Sequence, residues 1–136
     1  MKTARNPFVW TEIYVEDLAR AQKFYETVLD IKMEPAPVPS GMEAEEGSDE
    51  SFEMVFFPGN MDTPGMSGML VKSDNLKPGP GGTLNYFACE DCAVELSRVA
   101  AAGGQVIQDK MSIGQYGYCG ICTDSEGNSI GFHSMK

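Results

Sequence analysis

The spacing of apolar residues along the chain shifts between a period of two and one of three to four, and polar turns mark each change. Phe8 to Val15 is rich in β-branched and aromatic residues and predicts a strand. Asp17 then offers a side-chain acceptor to the free N–H groups of a helix start. Leu18, Ala21, Phe24, Tyr25 and Val28 follow at helical spacing and give one apolar face. Ile31 to Met33 begins a second strand. Prolines 35, 37 and 39 are expected to end it, since proline lacks the ladder donor. Phe52 to Phe57 predicts a third strand and Ser67 to Lys72 a fourth. A polar, acidic loop over residues 40–50 and a turn-rich connection from Pro58 to Gly65 separate these elements. Leu76 to Gly82 carries two prolines and three glycines and reads as a linker.

After the linker the order starts again. Leu84 to Cys89 predicts a strand, and Asp91 caps a helix with apolar positions Ala93, Leu96, Val99 and Ala100. Gly103-Gly104 stops that helix, because glycine adopts the left-handed geometry of a helix end. Gln105 to Gln108, Tyr116 to Thr123 and Ser129 to Ser134 follow as strands. Asp124-Ser125-Glu126-Gly127-Asn128 between the last two signals a hairpin. Val15-Glu16-Asp17-Leu18 aligns with Cys89-Glu90-Asp91-Cys92, each where a strand hands over to a capped helix. The expectation is an α+β fold of two tandem βαβββ modules, their curved mixed sheet surrounding a cleft. Module one covers about residues 7–73, the linker about 74–82, and module two about 83–136. A single unit has one bare apolar sheet face, so the two must pack on each other or on a second chain.

The 136 residues amount to one compact domain and bury most of their apolar surface without disulfides or metal. No apolar run is long enough to span a bilayer, and the N-terminus lacks a signal-peptide core, so a cytoplasmic location is expected. The net charge of −10 repels nucleic acid and anionic membranes and attracts cations. Part of the excess sits in Glu43 to Glu50, where its simplest role is solubility.

Several stretches carry a family likeness. They are Val15-Glu16-Asp17-Leu18-Ala19-Arg20-Ala21-Gln22-Lys23-Phe24-Tyr25, the helix ends Val28-Leu29-Asp30 and Ala102-Gly103-Gly104, the second Glu90-Asp91, and Asp124-Ser125-Glu126-Gly127-Asn128. In this order and spacing they resemble the vicinal oxygen chelate superfamily of glyoxalase, bleomycin-resistance and extradiol-dioxygenase proteins. Ser125 stands where that family commonly has proline. The resemblance implies paired βαβββ modules around a cleft, often completed by a homodimer. It also implies, for enzyme members, a divalent metal held by His and Glu from the first and fourth strands of each module. In this sequence the first-strand positions hold Trp10 and Leu84, and the last-strand Glu position holds Gly131. The fourth strand of module one has no Asp, Glu, His or Cys. A single histidine, His133, excludes a His₂-carboxylate site within one chain. No metal and no cofactor are expected.

If Trp10 occupies the old ligand position, alternation puts Trp10, Glu12 and Tyr14 on the cleft face. Leu84, Tyr86 and Ala88, with Gly131 and His133, then point inward from module two. The methionines around strands three and four, Met69 among them, suit a deformable wall. The ligand-binding set is therefore Trp10, Glu12, Met69, Leu84, Tyr86, Gly131 and His133. Its aromatic walls would stack a planar or cationic ligand, and Glu12 would fix it. The leading expectation is a metal-independent binder of a small organic molecule. One alternative is a lyase, isomerase or dioxygenase-type enzyme with a metal on unusual ligands such as Glu12 and His133, within one chain or across a dimer. Another is a structural zinc protein held by Cys89, Cys92, Cys119 and Cys122, two CxxC pairs. Against zinc, Cys119 and Cys122 lie three apart in a strand and face opposite sides.

Overall fold

The computed structural model describes residues 10–36, 52–60, 62–74, 76–81 and 83–136. Phe8, Val9, Pro37, Pro39, the acidic segment 40–50, Met61 and Gly82 lie outside them. The element order is β1 (Trp10–Tyr14), α1 (Leu18–Leu29), β2 (Glu34–Pro35), β3 (Phe52–Phe56), β4 (Ser67–Ser73), β5 (Asn85–Ala88), α2 (Cys92–Val99), β6 (Gln105–Ser112), β7 (Tyr118–Thr123) and β8 (Ser129–Ser134), with a 3₁₀ turn at Gly114–Tyr116. Two four-stranded mixed sheets result, in the orders β1-β4-β3-β2 and β5-β8-β7-β6. In each, the strand before the helix pairs parallel with the last strand of its module, and the other pairs are antiparallel. Gly68 lets β1 and β4 close up, because a Cβ there would strike the Thr11 carbonyl.

The repeat is structural. Asp17 caps α1 by accepting the Arg20 N–H at 3.0 Å, and Asp91 caps α2 by accepting the Ala93 N–H at 3.0 Å. Ala21, Phe24, Tyr25 and Val28 of α1 meet Cys92, Leu96 and Val99 of α2 in one core with Ile13, Val15, Val55, Leu70, Cys122, Ile130 and Phe132. The helices thus cover one face of both sheets. Cys92, not Ala93, opens the buried row of α2, and Ala93 and Ala100 are exposed, since positions 92, 96 and 99 share a face.

β2, β6 and β7 differ from expectation for physical reasons. β2 is Glu34–Pro35 rather than Ile31–Met33. Met33 turns into the core, and its N–H donates to the Glu26 carboxylate at 2.9 Å instead of to a ladder. Pro35 is tolerated because β2 is an edge strand, which needs no outward donor. β6 runs on to Ser112, with register shifts after Val106 and Gln108, and such bulges erase the alternation that betrays a strand. Tyr116 belongs to the 3₁₀ turn, so β7 starts at Tyr118. No described helix is long and apolar enough to cross a membrane.

The turn between β7 and β8 clasps module one. Glu126, its side chain fully enclosed, accepts the N–H groups of Glu16 and Asp17 at 3.1 and 2.8 Å and pairs with Arg20 at 2.7 Å. Burial opposes its ionisation. The hydrogen bonds from Arg20, Asp17 and Ser125 outweigh that and hold the carboxyl down to about 2. A depressed carboxyl adds stability above its ordinary value, which is lost as pH falls through the folded one. Stability should therefore decline between pH 4.5 and about 2. Glu126→Gln should flatten that decline and cost about 1–2 kcal/mol at neutral pH, discounting for the exposed Arg20. Urea unfolding across this range checks both, and an unchanged slope in the variant would refute the assignment.

Candidate functional site

The sheet faces turned away from the helices carry the candidate residues. On the first, the ladder sets Glu12 opposite Met69 and Met69 opposite Phe56, one row across β1, β4 and β3. The indole of Trp10 leans across this row to meet Phe56 edge-on, with ring centroids 6.0 Å apart. Met69, on the strand between them, is buried. Trp10 stays 45% exposed and is therefore not part of the core. Glu12 is exposed, and Tyr14 donates to its Oε2 at 3.2 Å. Burial and the neighbouring Glu12 carboxylate push the Tyr14 hydroxyl above its ordinary value. An indole, a phenyl ring and a carboxylate held by a tyrosine thus share one open surface.

The second sheet presents Tyr86, Gly131 and His133. Tyr86 is opposite Gly131 in the β5–β8 ladder and is 50% exposed. Its ring lies on Gly131, where an added Cβ would come within 2.5 Å of two ring carbons. His133 is half-buried, and its Nε2 is 2.6 Å from the Tyr116 carbonyl oxygen. Leu84 is half-buried and precedes β5 rather than belonging to it.

These residues form two groups, one per sheet. Glu12 and His133 do not share a hydrogen bond, since the first bonds Tyr14 and the second the Tyr116 carbonyl. A cleft of about 280 Å³ lies between the modules beneath the linker. It is bordered by Tyr14, Lys77, Gly79, Asn85 and Asn128, and of the seven expected residues only Glu12 lines it. Tyr14 was on the right face by alternation. The linker residues were beyond reach, because nothing in a Pro-Gly run says what it will cover.

The residues can be tested against a divalent metal. A shift of 74 residues carries Glu12 onto Tyr86 and Trp10 onto Leu84. Glu12 pairs with Met69 and Tyr86 with Gly131, so Met69 and Gly131 are equivalent fourth-strand positions. The four positions offer an indole, an aliphatic chain, a thioether and no side chain. That donor set does not fit a hard or borderline divalent ion, which takes imidazole and carboxylate. The zinc alternative fares no better. Cys92 and Cys122 lie in the core, Cys119 is on the opposite sheet face, and no three His, Cys, Asp or Glu side chains converge among the described residues.

Comparisons with known proteins agree with this architecture. A family model described as bleomycin resistance protein-like N-terminal matches residues 7–39. No curated protein matches the chain. A hypothetical protein from S. aureus is similar with TM-score 0.66 and 18% identity, over 96% of this chain and 95% of that one. A glyoxalase/bleomycin resistance protein from Albidiferax ferrireducens T118 has TM-score 0.61 and 21% identity, over 93% and 98%. An E144Q mutant of glyoxalase I from Zea mays has TM-score 0.66 and 16% identity, over 95% of this chain and 47% of that one. At these identities the likeness is one of fold. With the family match, it supports the resemblance to the vicinal oxygen chelate superfamily.

The contact between Tyr86 and Gly131 is open to direct test. Gly131→Ala should destabilise the protein by about 1 kcal/mol, because the ring must swing away. On a Tyr86→Ala background the same change should cost nothing, or stabilise as alanine in a strand interior usually does relative to glycine. Urea unfolding of the four proteins closes the cycle. A neutral Gly131→Ala in the wild type would show that the ring lies elsewhere.

Proposed function

We propose that this chain, built on the glyoxalase/bleomycin resistance fold, is a cytoplasmic protein that binds a small planar or cationic organic molecule without a divalent ion. The observation that carries the reading is the open aromatic face at the family's metal positions. On the first sheet Trp10 meets Phe56 in the strand row that holds Met69 and Glu12, and on the second sheet Tyr86 lies on Gly131. Two ring faces suit stacking, and a carboxylate beside them suits a cation, with a cation–π contact contributing about 0.5–2 kcal/mol. The net charge of −10 favours the same sign of ligand. Four unpaired thiols suit a reducing compartment. Within one chain Glu12 and His133 are not joined by a hydrogen bond, so an enzyme using the two together would need them brought together across a dimer.

Trp10 is the only tryptophan, so its emission reports on this surface. A planar aromatic cation should shift that emission on binding. Trp10→Ala should weaken binding several-fold, since a stacked ring contributes about 0.5–1.5 kcal/mol beyond area burial. Glu12→Gln should weaken cationic ligands and leave neutral analogues unchanged. Equal affinity for both ligand types in wild type and Glu12→Gln would remove the carboxylate from the account.

A second copy of the chain is proposed to border the site. Trp10 and Tyr86 are exposed on the open faces, and Ile107 and Met111 are exposed on β6. Monomeric proteins rarely leave large contiguous apolar patches open. Light scattering at micromolar concentration should give a dimer mass, and a monomer mass would contradict this part of the proposal.

A further inference from the structure

The open face of the second sheet holds a donor set that the aromatic site does not use. The ladder places Ala88 opposite His133, His133 opposite Cys119, and Cys119 opposite Met111. One row across β5, β8, β7 and β6 therefore carries an imidazole, a thiol and a thioether in neighbouring positions, with Met111 exposed, His133 half-buried and Cys119 only 7% exposed between them. All three lie on the side away from the helices. Their neighbours Cys122 and Phe132 are in the core, and a Cβ on Gly120 would meet Leu96 of α2. Directly opposed residues on antiparallel strands have Cβ atoms about 4.5–5.5 Å apart. An ion above Cys119 therefore has the other two donors within a side chain's reach. Among the described residues no three His, Cys, Asp or Glu side chains converge, and the third donor here is a methionine.

The hydrogen bond of His133 points the same way. Its Nε2 lies 2.6 Å from the Tyr116 carbonyl oxygen. A carbonyl only accepts, so Nε2 carries a proton, and in the neutral ring the lone pair is then on Nδ1. Proteins orient a ligating histidine by this device, tying one ring nitrogen to a backbone carbonyl and leaving the other for the ion. The remaining thiols are poor competitors. Cys92 and Cys122 are fully enclosed. Burial pushes the Cys122 thiol up to about 12, and burial with the nearby Glu95 does the same to Cys89.

We propose that His133, Cys119 and Met111 form a binding site for the soft monovalent ion Cu(I). Thiolate and thioether donors select Cu(I) over harder divalent ions, and the row contains no carboxylate. Binding is a ligand exchange without electron transfer. The Cys119 thiol releases its proton to solvent as the sulfur–copper bond forms, and the site gains no net charge. The site lies beyond Trp10 and Glu12 and shares only His133 with the residues expected to bind an organic ligand.

The test is anaerobic competition for Cu(I) between the full chain and the chromophoric chelator bicinchoninate. The wild type should take up one Cu(I) per chain. Cys119→Ser should lose affinity by roughly 100-fold or more, and Met111→Leu and His133→Gln by roughly 10-fold or more each. Circular dichroism establishes that each variant is folded, and Met111→Leu serves if Cys119→Ser is not. Cys89→Ser and Trp10→Ala should bind copper as the wild type does, which separates this site from the aromatic one. Undiminished copper binding in Cys119→Ser or Met111→Leu, an equal loss in Cys89→Ser, or a preference for Zn(II) would overturn the proposal.

Discussion

The turn from Asp124 to Asn128 fixes how the two modules meet. Asp124 is buried and accepts the Tyr25 hydroxyl at 2.6 Å, which ties the turn to α1. The same carboxylate holds the turn itself, accepting the N–H groups of Glu126 and Asn128. Asn128 donates to the Tyr14 carbonyl at 2.8 Å and accepts the Gly79 N–H at 2.8 Å, so β1 and the linker are bound to the start of β8. Glu126 closes the contact at the entry to α1. Buried polar groups of this kind are costly unless each finds a partner. Satisfying all of them together admits few arrangements of one module on the other.

That constraint decides which sheet faces are spent on folding. With the modules clasped through α1 and α2, the apolar sides of both sheets join a single core. The opposite sides are left open, and their exposed indole, phenol and methionine side chains are free to meet a ligand or a second chain. Function in this fold is then a matter of what stands at a few open positions. At the four positions compared above stand Trp10, Leu84, Met69 and Gly131, and the proposed stacking surface rests on them.

Much of this was legible in the sequence. The two capped helices announced themselves through Asp17 and Asp91, and the repeated strand–cap pattern through Val15-Glu16-Asp17 and Cys89-Glu90-Asp91. Alternation placed Trp10, Glu12 and Tyr14 on one face. What stayed hidden depended on pairing between distant strands. The contact of Trp10 with Phe56, the fit of Tyr86 on Gly131 and the row from His133 through Cys119 to Met111 arise from ladder registers. Bulges in β6 shift that register, so counting along the chain does not predict Met111 beside Cys119. Nor did alternation reveal that Glu12 and His133 would each be engaged by a local partner.

The most direct measurement is NMR shift mapping of isotope-labelled protein, titrated in parallel with a planar aromatic cation and with Zn(II). The account predicts that the organic cation moves the Trp10 indole N–H and the amides of β1 and β4 around Glu12 and Met69. Zn(II) should leave those signals in place. Movement of the Trp10, Met69, Leu84 and Gly131 signals by Zn(II) and not by the organic cation would contradict it.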